Sequence, residues 1–211
     1  MAKIEENKIA LEKKLLRTKL KNELQKFSQL ELQEKSEKIC KNILNCKFFI
    51  EAKNIFFFMP LKTEPNILSV IETSLLQNKN CYIPKVNSDG TMDFFKLDNK
   101  KTLINQVEIG NYNILEPKQE LSKFEQELFS KDEFYSEKNI IFIPATAFDK
   151  NKNRIGKGKG FYDKFLAKIP LEHKDKTIFA GISFDIFIID KIPVEPTDIK
   201  MDFIITDKKI Y

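Results

Sequence analysis

Hydrophobic positions along the chain fall into two spacings. Between residues 7 and 27, Leu11, Leu15, Leu16, Leu20, Leu24 and Phe27 recur every three or four positions, the period of a helix with one apolar face. Ser28 followed by Glu31 forms a capping box for a second helix over 29–45, with Leu32, Ile39, Ile43 and Leu44 in its apolar stripe. Residues 66–78 return to helical spacing through Ile67, Val70, Ile71 and Leu75. Short unbroken apolar runs intervene: NIFFFM (54–59), CYIP (81–84), MDFFKL (92–97), IIFIP (140–144), TIFAGISF (177–184) and DFIIT (202–206). A strand that is apolar at successive positions is covered on both faces. Alternation of such strands with helices predicts an α/β fold, a layered domain with a largely parallel central sheet flanked by helices and an N-terminal helical pair. No linker and no repeat interrupts residues 1–211, so a single domain is expected. In such folds ligands sit beyond the carboxyl ends of the strands. Here those are the segments after Met59, Ile143 and Phe184.

Composition narrows the function. A hydrophobic fraction of 42% with 32% charged residues suits a globular chain of 211 residues. No apolar run approaches the ~18 residues of a membrane helix, and MAKIEENKIALEKK lacks the apolar core of a signal peptide. Three cysteines, Cys40, Cys46 and Cys81, form no CxxC pair, which points to reduced thiols and a cytoplasmic location. The single histidine, His173, argues against a Ser-His-Asp triad and against a multi-histidine metal site. The net charge of +5 comes from 36 basic residues interspersed with 31 acidic ones, without a basic block, which weighs against nucleic acid as partner. The apolar neighbours of Phe56, Phe57 and Phe58 mark them as a core strand rather than a stacking platform for bases. All but two of the 36 basic residues are lysine. The exceptions, Arg17 and Arg154, supply the planar fork that matches phosphate or carboxylate and that lysine cannot copy.

Arg154 leads into the most informative stretch, FDKNKNRIGKGKGFYD (148–163). Three of the six glycines, Gly156, Gly158 and Gly160, lie within five residues, with Lys157 and Lys159 between them. Alternate glycines let backbone amides turn toward an anion, and the stretch leaves a strand and opens a helix. Together these features describe a polyphosphate cradle. It is neither a Walker A loop, which needs a following Ser or Thr, nor the G-x-G-x-x-G dinucleotide fingerprint. Asp163, one turn into the helix, is either a dipole partner of the helix start or a ligand for Mg²⁺.

The segment FIPATAFDKNKNRIGKGKGFYD resembles the signature of the 5-formyltetrahydrofolate cyclo-ligase family. Further family landmarks follow in order: KKLLR (13–17), FFFMPLKTEPNI (56–67), YIPKV (82–86), ILEP (114–117), ISF (182–184) and IPVEPTDIKMDFIIT (192–206). The resemblance implies an ATP- and Mg²⁺-dependent cyclisation of 5-formyltetrahydrofolate to 5,10-methenyltetrahydrofolate with release of ADP and phosphate, through phosphoryl activation of the formyl oxygen. It implies no membrane partner and is compatible with a monomer. It puts ATP binding on Lys13, Arg17, Arg154, Gly156, Lys157, Gly158, Lys159, Gly160, Phe161 and Tyr162, with Arg154 and Lys159 acting in catalysis. It puts the metal on Asp163 and Asp198. Folate binding falls on Lys157 to Phe161, on Glu64, and on Phe58, with Phe57 or Met59 as alternatives in a shifted register.

The chain departs from the family pattern at several points. Glu64 precedes Pro65-Asn66-Ile67 where the family has a hydrophobic-Asp-Thr tripeptide; it is preferred as the family's glutamate over the alternative of an exposed acid capping a helix. Asp198, in PTDIK, reads on its own as a carboxylate ending a turn, and the resemblance alone puts a metal on it. Phe161 replaces the first tyrosine of the usual pair, Ala145-Thr146 a glycine-containing pair, and Phe187 a glutamine. Lys13 and Arg17, four apart on one helix face, are expected to flank the buried leucine stripe and to reach ATP in the glycine loop. An ATP-using enzyme with another acceptor would keep the phosphate half of these assignments and lose the folate half.

Overall fold

The computed structural model describes residues 2–110, 114–125, 128, 131, 134, 136–170 and 175–211; His173 lies outside them. Three helices open the chain: α1 (Ala2–Leu24), α2 (Gln29–Leu44) and the short α3 (Lys47–Glu51). Then come β1 (Asn54–Phe56), α4 (Leu68–Leu76), β2 (Asn80–Val86) and β3 (Met92–Lys96). A small pair, β4 (Val107–Ile109) and β5 (Leu115–Pro117), precedes the central β6 (Asn139–Pro144). The last third holds β7 (Ala147–Asp149), β8 (Arg154–Ile155), α5 (Phe161–Leu166), β9 (Thr177–Ile182), β10 (Ile188–Ile189) and β11 (Phe203–Ile205).

The main sheet has the order β11-β9-β6-β1-β2-β3. Every neighbouring pair is parallel except β2 with β3, an antiparallel edge. The expected largely parallel sheet is therefore present. Successive phenylalanines of β1 show why its strands are apolar throughout. Phe57 belongs to the core on one face with Ile39, Ile43 and Phe142, and Phe56 to the core on the other with Tyr82, Phe94 and Phe165. β1 stops at Phe56, earlier than the apolar run suggests. Phe57 N still donates to Tyr82 O at 2.8 Å, but Pro60, which has no N–H, ends the extended segment.

The capping box at Ser28 forms as expected: Glu31 N donates to Ser28 Oγ and Ser28 N donates to Glu31 Oε2. Helix α1 differs from its apolar pattern. Leu11 and Leu15 are 56% and 63% exposed, and the side turned to the protein carries Lys13, Leu16, Leu20 and Leu24. Lys13 is thus buried rather than flanking the stripe, because two carboxylates meet it there. A second sheet, β10-β7-β8, sits beside the carboxyl end of β6. Its strands are two or three residues long, too short for any periodicity to announce them. It fits closely because Gly181 of β9 has no side chain: a Cβ there would lie 2.7 Å from the Phe148 ring.

The amino ends of three central strands are tied by amides. Asn54, Asn80 and Asn139 open β1, β2 and β6 and are direct register partners. Asn80 Nδ2 donates to Asn54 Oδ1, and Asn54 Nδ2 donates to Asn139 Oδ1, both at 2.8 Å. Replacing Asn54 with alanine strands a buried acceptor on Asn139 and a half-buried donor on Asn80, together costing about 2–3 kcal/mol. Asn54→Ala is expected to lower the melting temperature by roughly 4–12 °C for a domain of this size, measured by thermal denaturation, while leaving ligand affinities at the opposite end of the sheet unchanged.

Candidate active site

The carboxyl ends of β6 and β9 and the segment after β1 surround a cleft of about 300 Å³. Thr63 and Pro65 line it from the segment after β1, Ala145 and Thr146 from that after β6, and Ser183, Phe184 and Phe187 from that after β9. These are the three segments expected to hold a ligand. Helix α1 forms a further wall with Leu20 and Leu24, and adds the cations Arg17 and Lys21. Lys157 of the glycine loop completes the lining. Among the described residues the lining holds three cations, no acid and mostly apolar surface. Such a cleft suits an anion with an apolar body.

The glycine loop is reached through a hairpin organised by Asp149. This fully buried carboxylate accepts four hydrogen bonds: Asn151 N and Asn153 N at 2.9 Å on Oδ1, and Asn153 Nδ2 at 2.9 Å and Ile192 N at 3.0 Å on Oδ2. The first three close the turn between β7 and β8 and so deliver Arg154 at the start of β8. The fourth anchors the segment that leads to Glu195 and Asp198. Asp149 escaped notice as a working residue in the sequence, although Asp followed by alternating Asn is the signature of a side-chain-organised turn.

Gly158 and Gly160 have φ of +93° and +68°, conformations that suit glycine. A Cβ on Gly158 would stand 3.5 Å from the Arg17 guanidinium carbon, so the missing side chain lets the α1 arginine lie against the loop. Arg17 Nε donates to Gly156 O at 2.7 Å, and its two terminal guanidinium nitrogens have no partner among the described residues. Lys159 is exposed, with no partner among the described residues. The helix that the loop opens, α5, has only six residues, so the loop amides and cations carry most of the site's positive potential.

The remaining cations each face acids of the same site. Lys13 Nζ donates to Glu195 Oε2 at 2.7 Å and to Asp198 Oδ2 at 2.6 Å. Burial of Lys13 works against its charge, but the hydrogen bonds to Asp198 and Glu195 outweigh it and hold the ammonium pKa above 10.5. Arg154 Nη2 pairs with Asp163, and its guanidinium lies 6.0 Å from the centre of the Tyr162 ring. Arg154 Nε is buried with no hydrogen-bond partner among the described residues. Burial, reinforced by the Glu64 carboxylate, pushes the Tyr162 hydroxyl well above its ordinary pKa, against the opposing pull of Arg154. Lys157 Nζ lies 2.9 Å from Glu64 Oε1 and donates to Thr63 Oγ1 at 3.2 Å.

Glu64 is therefore not an exposed capping acid. Its side chain is 7% exposed, it accepts Leu61 N at 3.0 Å, and it faces the glycine loop. Asp198 ends a turn, as its residue type allowed, and that turn carries it to Lys13. Asp163 and Asp198 each have their own protein cation, and the described residues include no group of three or more His, Cys, Asp or Glu arranged to hold a metal. Phe58 is 1% exposed in the main core and does not line the cleft. Phe161 and Tyr162 are half-buried at the start of α5. Glu195, inside the IPVEPTDIK run, joins Asp198 on Lys13 and is not among the expected site residues.

Known proteins share this chain and this architecture. The model of the 5-formyltetrahydrofolate cyclo-ligase family matches residues 9–207. A protein of Schizosaccharomyces pombe named probable 5-formyltetrahydrofolate cyclo-ligase is 27% identical over 210 residues, covering 96% of this chain and 98% of its own. The 5-formyltetrahydrofolate cyclo-ligase of Mus musculus is 27% identical over 191 residues, covering 90% and 91%. The NMR structure of Aquifex aeolicus 5,10-methenyltetrahydrofolate synthetase has the same fold, with a TM-score of 0.75 at 24% identity, covering 94% of this chain and 91% of that one.

The cleft wall at Phe184 and Phe187 is fixed by Asp185 between them. Burial of Asp185 disfavours its charge, but hydrogen bonds from Tyr211, Lys208 and Thr206 outweigh this and hold its pKa below 3.8. A depressed folded-state pKa adds stability that is present above 3.8 and lost as pH falls through the folded value. Asp185→Asn is expected to melt below the wild type at neutral pH by the equivalent of about 1–2 kcal/mol. Melting curves at neutral pH and near pH 3 should show that gap narrowing on the acid side. A gap independent of pH would contradict the assignment.

Proposed function

Because the chain belongs to the 5-formyltetrahydrofolate cyclo-ligase family, whose members are ligases, we propose that it converts 5-formyltetrahydrofolate and MgATP to 5,10-methenyltetrahydrofolate, ADP and phosphate. The observation that carries this reading is that both arginines, the glycine loop and a buried glutamate, far apart in the sequence, converge beside one apolar cleft. The whole of residues 1–211 acts as one domain. Three buried, unpaired cysteines support a reducing, cytoplasmic setting.

The formyl oxygen attacks the γ-phosphorus, the bond to ADP breaks, and N10 then closes on the activated carbon as phosphate leaves and N10 loses its proton. This chemistry asks for position and charge neutralisation rather than a protein nucleophile. Arg17, Lys13 and the amides of Gly156 to Tyr162 hold the polyphosphate. Arg154 and Lys159 face the group in transfer. The terminal guanidinium nitrogens of Arg17, which lines the cleft, are donors available to such a group. Glu64 serves the folate, and Lys157 to Phe161 lie between the two substrates; Phe58, buried in the core, does not line the cleft. Asp163 and Asp198 offer the hard oxygen donors that Mg²⁺ takes, and the pairing of one lysine with two acids at Asp198 leaves one negative charge in excess. Bound there, Mg²⁺ would neutralise phosphate charge.

The reading predicts a rise in near-ultraviolet absorbance when the protein is mixed with 5-formyltetrahydrofolate and MgATP, and none when ATP is omitted. An ATP-dependent signal with another small acid and none with the folate would replace the folate half of the proposal. Arg154→Lys keeps the charge and loses the fork. Turnover is expected to fall about 10-fold or more, measured by the same assay, and unchanged turnover would remove Arg154 from the transferring group.

A further inference from the structure

Two carboxylates serve one ammonium at Lys13, where one would neutralise it. The turn Glu195-Pro196-Thr197-Asp198 is closed by Asp198 N donating to Glu195 O at 3.0 Å, and Asp198 Oδ2 also accepts Glu195 N at 2.8 Å. The Lys13 side chain is 8% exposed, against 33% for Glu195 and 20% for Asp198. Holding two like charges within reach of each other is unfavourable unless each has its own task. The two acids are not equivalent. Asp198 is locked by a backbone amide from its own turn as well as by Lys13, so its carboxylate keeps a fixed direction. The Glu195 side chain has Lys13 as its one partner among the described residues.

The proposed reaction makes two demands on this cluster. The Lys13 ammonium must stay fixed on its helix as a cation for phosphate, and Asp198 must be free to give an oxygen to a divalent cation. With Asp198 as the sole counter-ion of a buried lysine, each demand weakens the other. From the three-residue geometry we infer that Glu195 is a positioning residue that holds the Lys13 ammonium and so leaves the Asp198 carboxylate to the metal. This rests on the reading of Asp198 as a metal ligand in the proposed function.

The test is a double-mutant cycle read by metal binding rather than by turnover. Mn²⁺ is titrated into the full-length protein with a non-hydrolysable ATP analogue, and free Mn²⁺ is followed by electron paramagnetic resonance. Glu195→Gln is expected to weaken Mn²⁺ binding ~5-fold or more, since Asp198 is then shared between lysine and metal. In a Lys13→Met background, where nothing competes for Asp198, Glu195→Gln should change the affinity less than ~2-fold. Weakening of equal size in both backgrounds would overturn the inference by making Glu195 a metal ligand itself. No weakening in the otherwise wild-type protein would overturn it by making Glu195 idle. Melting curves check that each variant is folded, and Lys13→Gln replaces Lys13→Met if the latter is not. Asp198→Asn, run alongside, separates the two levels: it weakens Mn²⁺ binding in both backgrounds if Asp198 is a ligand, and leaves it unchanged if the reading beneath the inference is wrong.

Discussion

The buried carboxylate of Asp149 is the constraint on which the site depends. It is a charge taken out of water, and such a charge survives only when its acceptor positions are filled. Four N–H donors fill them, three from the turn that follows β7 and one from Ile192. One carboxylate therefore sets two chain segments at once. One carries Arg154 and the glycine loop, the other carries Glu195 and Asp198. Neither segment has regular structure long enough to hold itself in place, so the placing of Arg154, Glu195 and Asp198 depends on this single hub.

The same economy appears in the charges. Lysines and arginines that would repel one another around an open loop are balanced within the site: Arg154 by Asp163, Lys157 by Glu64, Lys13 by Glu195 and Asp198. Pairs of this kind, half-open to solvent, contribute modestly to stability. Their weight lies in keeping side chains aimed before any ligand arrives, which lowers the ordering cost when one binds.

Much of this was legible in the sequence. Unbroken apolar runs at β1, β6 and β9 gave the parallel sheet, and Ser28 with Glu31 gave the start of α2, because burial on two faces and end-capping both leave marks within a few residues. The glycine loop and the two arginines stood out against a lysine-rich chain. Other features left no local mark. Leu11 and Leu15 fit the helical period of α1 yet face outward, since periodicity shows that a face exists and not how far the neighbouring core extends beneath it. Lys13 is expected beside the leucine stripe as a cation for ATP, and only the fold brings the Glu195-Asp198 turn to it. The asparagines of β1, β2 and β6 are unremarkable singly and gain their role from register alone.

Helix α1 is both wall and reagent in this architecture. Leu20 and Leu24 close one side of the cleft, while Lys13 and Arg17, within the same helix, reach the Glu195-Asp198 turn and the glycine loop. Leu11 and Leu15 are exposed, so among the described residues this stretch of the helix is held from one side. Because one rigid element carries both sets of groups, a substitution that shifts the packing of Leu20 or Leu24 also shifts Arg17, and the apolar wall cannot be reshaped through this helix without moving the cation beside the glycine loop.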